Sequence, residues 1–415
     1  MKPQDRYHTM PRPVSIAEFS GGQEGIAPGA CGLFALHGNC ALPAVFEAAR
    51  VLQYRARNGA GVFLKGFYLD DEHYHFHIMY RDKNKIAELE NSLEDMGISF
   101  LDKRPLVREN LHFEYDMPVF TSYTVLTPSA DVIKHKGGEG GVEDFICDRV
   151  IRFNLENRDN ARIFSSSLKG ANFSTAFELA DTIRIFDLEQ YAEKKLTGAM
   201  VHMRWPTSPG QGVWWGAQPI VAGNVAGIHN GHLSSDKSNA RALEQLGIPM
   251  QVGTDSEAIF QEVFYLFKSG MSLEEIEWLM SRKFPEEARD MNEKDFRRYQ
   301  ELTSHPVFKH FKMSGPSTAV INYGDIMLGL TDRDHMRQFT VGYNDKIAVF
   351  ASEERAIVTY CEIAKIPLTI LSPPAGKLIA FRANWNENIK DGIRNVEMLP
   401  NDYVHIRENQ GGIDL

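Results

Sequence analysis

Cysteine is scarce in this sequence. Its four thiols, Cys31, Cys40, Cys147 and Cys361, are too few for a disulfide framework, and none stands at the short paired spacing of a metal site. A reducing, cytoplasmic setting is therefore expected. Also absent is any apolar run of about eighteen residues, so no segment is expected to span a membrane. The first thirty residues carry acids, bases and several prolines but lack the apolar core of a secretory signal. Positive charge is in deficit: 45 basic residues stand against 55 acidic ones, a net charge of −10. That balance argues against a nucleic-acid or anionic-membrane partner. No repeat of fixed period and no low-complexity tract occurs.

What is present is a core-building composition. The 415 residues are 43% hydrophobic and 11% aromatic, enough for one large domain or two to three ordinary ones. "CGLFALHG" from Cys31 reads as a short buried strand, and "LPAVFEAARVLQYR" (42–55) has helical spacing. "NGAGVFL" (58–64) is a turn leading into a strand, and "YHFHIMY" (74–80) is extended. Strand, helix, turn, strand, strand opens a layered α/β or α+β domain. Between about 82 and 195 the pattern is mixed and reads as an insertion elaborating that core. Its glycine cluster "KGGEGG" (136–141) lacks the Lys-Ser/Thr of a phosphate loop and reads as a surface loop. "GAMVHMRWPT" (198–207) and "VAGIHNGHL" (225–233) resume the strands. Helices follow in "LSSDKSNARALEQLG", stopping at Gly247, and in "TDSEAIFQEVFYLFKSG". "STAVINYGDIMLGLTD", "KIAVFASEE" and "PPAGKLIAF" close the set with strands.

Taken singly, the polar residues have plain structural readings. Cys31 suits a buried apolar site. His202 and Arg204 alternate along a strand and suit a structural pair. "HNG" (229–231) suits a turn, and Asp255 a helix cap. His73, His75 and His77 in "HYHFH" have metal-compatible spacing, yet without a carboxylate or cysteine partner they read as a polar strand face, and no metal is expected.

Taken in order, the same residues form a series. "CGLFAL" is followed by "LQYRARNGAGV" (52–62), "HMRWPT" (202–207), "AQP" (217–219), "HNG" (229–231) and "TDSE" (254–257), then by "GPSTAVI" (315–321), "LTDRDHMR" (330–337) and "ASEERAI" (351–357). In this series the chain resembles the class II glutamine amidotransferases, which are N-terminal nucleophile hydrolases, over roughly residues 31–380. It is similar in particular to the separate amidotransferase subunit of split glutamate synthases. It departs from the family pattern at His232, where an acid is usual, at Ala56, where glycine is usual, and at Gln338, where proline is common.

The resemblance implies an α+β fold, a four-layer αββα sandwich carrying the mixed insertion. It implies a leader over 1–30, an amidotransferase domain over 31–385 and a tail over 386–415. The thiol of Cys31 becomes the nucleophile once cleavage after Ala30 frees its α-amino group to act as base. Asn230 and Gly231 supply the oxyanion site. Arg204 and Asp255 hold the carboxylate and ammonium of glutamine, with Trp205 and Thr207 lining the pocket, and His202 buttresses its strand. No cofactor is implied in this chain; FMN and iron–sulfur clusters are expected on a synthase subunit that accepts the ammonia. Related split enzymes that make N-methylglutamate, and a catalytically silent subunit of the same fold, are the alternatives.

Overall fold

The computed structural model describes residues 8–10, 30–68, 72–108, 111–113, 117–138, 141–205, 214, 216–222, 225–385 and 393–404. Helices and antiparallel sheets combine in an α+β architecture. The strand Gly32–Cys40 is buried on both sides over most of its length, which is why its sequence is a continuous apolar run and not an alternating one. It lies inside a seven-stranded sheet. Across that sheet the order is Thr369–Leu371, Thr340–Tyr343, Ile347–Ala351, Gly32–Cys40, Leu196–Met203, Ala60–Lys65 and Gly170–Thr175. A six-stranded sheet runs Ile220–Ala222, Val225–Gly231, Ser317–Tyr323, Ile326–Thr331, Leu378–Trp385 and Ile393–Met398.

Side-chain alternation along these strands divides the core in three. Leu33, Ala35, Phe63 and Met200 of the larger sheet meet Ala226, Ile228, Val320 and Phe381 of the smaller one. Their neighbours Phe34, Leu36, Leu64 and Val201 turn to the opposite face. There they pack with the helix Leu42–Arg50, whose Leu42, Val45, Phe46 and Ala49 form one apolar stripe, and with Ile357 and Tyr360 of the helix Glu354–Ala364. On the far face of the six-stranded sheet, Ala319, Ile321 and Leu328 pack with Ile259, Val263 and Phe267 of the helix Asp255–Lys268.

A four-stranded sheet, Ser99–Pro105, Val119–Leu126, Tyr74–Tyr80 and Ala161–Ser167, has an aromatic core of its own with the helices Ile86–Asp95 and Val142–Glu156. This unit includes the 74–80 strand and ends at Ser167; Gly170–Thr175 is again part of the seven-stranded sheet. Its His77 is buried, accepts from the Tyr68 hydroxyl at 2.7 Å and donates to the Asn172 carbonyl at 2.7 Å, while His75 stacks on Tyr68 at 3.5 Å. Near the chain start, His8–Met10 pairs in parallel with Leu111–Phe113. Among the described residues no helix is long and apolar enough to cross a membrane.

Candidate active site

Strand register assembles the site. Met203 lies opposite Gly32, so the residues that leave the strand after Met203 meet the residue that enters the strand at Gly32. The result is direct contact: the Trp205 backbone N–H donates to Cys31 Sγ at 3.2 Å. On the other side Met203 pairs with Ala60, and the Arg204 N–H donates to the Gly59 carbonyl at 2.8 Å. Ala351 lies opposite Phe34, which brings Ser352 beside Leu33: Ser352 Oγ accepts from the Leu33 N–H at 3.1 Å. Asn230, at the end of a strand in the other sheet, reaches the same hydroxyl with Nδ2 at 3.4 Å. Arg55 Nε donates to the Cys31 carbonyl at 3.0 Å while its guanidinium pairs with Glu353 at 2.5 Å.

Cys31, Arg204, Trp205, Gly231 and Asp255 line one cleft, together with Gly216, Gln218, His229, Thr254 and Ser256. The cleft holds about 310 Å³ of space outside the protein atoms, its open mouth included. Two glycines keep it that shape. A Cβ on Gly216 would sit 2.5 Å from an Arg204 guanidinium nitrogen, and one on Gly231 would sit 2.1 Å from the Pro316 carbonyl oxygen. Asn230 is completely buried behind this surface and does not line the cleft; its Oδ1 has no hydrogen-bond partner among the described residues. Thr207 lies outside the described residues. His202 is buried, and its Nε2 donates to the His229 carbonyl at 3.0 Å, tying the two sheets together.

Burial pushes the Cys31 thiol above its ordinary pKa, and the Asp255 charge adds to that. The Trp205 N–H and the Arg204 charge act in the opposite sense without overcoming it. The thiol is therefore uncharged at rest. Burial lowers Arg204 as well, while Cys31 and Asp255 favour its charged form. Burial holds His202 down to about 3, so its imidazole is neutral at any working pH.

The floor of the cleft is a hydrogen-bonded polar cluster. Gln218 Oε1 accepts from the His229 N–H at 2.6 Å, and its Nε2 donates to Ser256 Oγ at 2.9 Å. The His229 ring bonds Ser256 Oγ at 2.9 Å and Ser317 Oγ at 2.6 Å. Asp255 opens the helix Asp255–Lys268, but the cap of that helix is Thr254, whose Oγ1 accepts from the Glu257 N–H at 3.2 Å. The Asp255 carboxylate accepts from the N–H groups of Leu233 and Ser256 at 3.0 and 2.8 Å and lies 3.6 Å from His232 Nδ1. Its place in the first turn suits an anion.

Sequence reasoning did not single out Gln218, His229, Ser256 or Ser317, although each stands inside one of the motifs. Nor did it single out Arg337, close enough that its charge lowers the pKa of both Cys31 and His229. Their partners lie on other elements, and only the fold brings them together.

No family model matches the chain. A protein of Archaeoglobus fulgidus described as uncharacterised is 27% identical over 314 residues, covering 73% of this chain and 78% of its own length. Among solved structures, the chain is similar to a glutamine phosphoribosylpyrophosphate amidotransferase from B. subtilis complexed with ADP and GMP, at TM-score 0.39 and 14% identity. A second, described as the allosteric regulatory enzyme of purine biosynthesis, has TM-score 0.38 and 15% identity. Each match covers 88% of this chain and 48% of the other, so the chain spans about half the length of these structures.

Proposed function

We propose that this chain is a glutamine amidotransferase of class II that hydrolyses glutamine through a Cys31 thioester and passes ammonia to a separate synthase subunit, that of glutamate synthase. The observation that carries the reading is a buried thiol in a cleft that also holds one cationic and one anionic side chain, Arg204 and Asp255. A free amino acid has a carboxylate and an ammonium to match them, and the planar guanidinium offers the carboxylate a two-point contact.

A thiol that is neutral at rest needs a base at the moment of attack. His202 is unsuited, because its Nε2 already donates to a carbonyl and burial holds its pKa down to about 3, too weak a base to take the thiol proton. Both ring nitrogens of His229 are engaged by serine hydroxyls. The α-amino group of Cys31 itself, with an ordinary pKa of about 7.7–8.0, is suited once the Ala30–Cys31 peptide bond has been cleaved. It takes the thiol proton as sulfur bonds to the side-chain carbonyl carbon of glutamine. The oxyanion formed is met by the Gly231 N–H and by Asn230 Nδ2, which must leave Ser352 Oγ and turn from behind the cleft wall to reach it. The proton passes to the departing nitrogen, ammonia leaves, and water then releases glutamate from the thioester.

The helices on the outer face of each sheet support the four-layer αββα arrangement. The leader over 1–30, the domain limits at 31–385, the pocket role of Thr207 and a cytoplasmic setting belong to the same proposal, as do FMN and iron–sulfur clusters on the partner. Intact-mass measurement is expected to show loss of residues 1–30 from the active protein, and Cys31→Ala is expected to abolish glutamate release. A fully active protein that keeps its leader overturns the mechanism.

A further inference from the structure

The strand Gly32–Cys40 has a second end. Following it from Cys31 to His37 covers about 20 Å at the usual rise per residue, still within the layer between the two sheets. A pocket opens there, lined in part by Phe63, Lys65, Thr197, Asn322, Asp325 and Trp385. Its cavity volume is about 210 Å³, room for a small ligand of one ring.

Lys65 has the same facing along its strand as Phe63, so it is turned toward the layer between the sheets. Both of its cross-strand neighbours are glycine, Gly198 and Gly170, which leaves its side chain without lateral packing partners at those positions. The residue is 7% exposed, and Nζ has no hydrogen-bond partner among the described residues. Thr197 Oγ1 and Asn322 Oδ1, in the same wall, are buried and equally without partners. A buried amine left in this state is costly unless something pairs with it. The acid of the wall, Asp325, is already 3.4 Å from Arg382 Nε, and its backbone carbonyl accepts from His37 Nε2 at 2.9 Å. Lys169 adds a second cation, 5.8 Å above the Trp385 ring. The pocket therefore combines the unpartnered Lys65 amine with two aromatic faces.

We propose that this pocket is a binding site for a small planar carboxylate, whose charged group pairs with the Lys65 ammonium and the Thr197 hydroxyl and whose apolar body lies against Phe63 and Trp385. The site is separate from the Cys31 cleft and stands whether or not that cleft hydrolyses glutamine. Binding is coupled to protonation. Burial holds the Lys65 pKa down to about 7, with Asp325 the charge that opposes the shift, and His37 is itself kept neutral by burial and by Lys65. A carboxylate that binds the ammonium form must draw a proton onto Lys65 above that pH, so affinity falls as pH rises.

Calorimetric titration of the full chain with benzoate, and with benzamide as its uncharged counterpart, tests this. Benzoate is expected to bind at millimolar concentration or below, roughly tenfold more tightly at about pH 6 than at about pH 8, with benzamide much weaker. Lys65→Met is expected to lose at least about tenfold in benzoate affinity, and Thr197→Val to weaken it severalfold. Thr197→Val and the pH comparison remain decisive should Lys65→Met fail to fold. Equal binding of benzoate and benzamide, benzoate affinity independent of pH, or no benzoate binding at millimolar concentration overturns the proposal.

Discussion

At the scale of single residues, the cleft makes separable demands on its groups. The Asp255 carboxylate is proposed to contact the substrate ammonium in ground and transition states alike. Asp255→Asn is therefore expected to raise KM for glutamine about tenfold or more with little change in kcat, read from initial rates over a glutamine series. A fall in kcat alone would give Asp255 a different role. Asn230 is proposed to meet charge that exists only during acyl transfer, so Asn230→Ala is expected to lower kcat by about 10²–10³ with KM nearly unchanged. Its completely buried side chain and the 3.4 Å approach to Ser352 also tie the Val225–Gly231 strand to the turn that follows Ile347–Ala351, so thermal unfolding of the variant distinguishes lost catalysis from lost structure. The pH profile separates the bases. His202, held near 3, contributes no limb in the working range. If the freed α-amine is the base, kcat/KM rises with pH through about 7.7–8.0.

At the scale of elements, the helix Asp255–Lys268 positions its part of the cleft from its first turn. Thr254 caps it, and the Glu257 carboxylate gathers the N–H groups of Gln251, Val252 and Gly253 at 2.7–2.9 Å. Thr254→Ala is expected to cost about 1 kcal/mol, and Glu257→Ala about 3–5 kcal/mol because it strands several partly buried donors at once; denaturant titration checks both. This helix was legible in the sequence, since Thr-Asp-Ser-Glu precedes an apolar periodicity long enough to decide its type. The 32–40, 60–65 and 196–203 strands were equally legible as apolar runs. Less legible was which sheet a strand joins. "YHFHIMY" announces an extended segment, but its partners, Val119–Leu126 and Ala161–Ser167, are set by distant ladders that its own alternation does not encode. The site divides the same way. Motif order singled out Cys31, Arg204, Gly231 and Asp255, which the fold gathers around one cleft. The Gln218–His229–Ser256–Ser317 cluster stayed hidden because each member looks like an ordinary turn or strand residue until its partners are in place.

At the scale of the whole molecule, the core between the helices and the six-stranded sheet contains a completely buried acid, Glu262, bonded to Asn239 Nδ2 at 3.0 Å. Burial raises its pKa well above the ordinary carboxylate range. A folded pKa above the unfolded one means that the ionised form is penalised in the fold. Glu262's contribution is thus fully present in acid and lost as pH rises through the folded value. Glu262→Gln, which keeps an acceptor for Asn239, is expected to raise the melting temperature at alkaline pH and to leave it unchanged in acid. The strand that begins at Gly32 sets a constraint of another kind, one of timing. Leu33 is bonded to Ser352, 319 residues further along the chain, and the intervening ladder to Leu196–Met203 is itself long-range. At ordinary synthesis rates of about 5–20 residues per second, the first strand of the central sheet waits roughly 15–60 s on the ribosome for the neighbour that completes it. Chain order and assembly order are therefore inverted around Cys31: the residue proposed to react is made about 320 residues before the neighbour that encloses it.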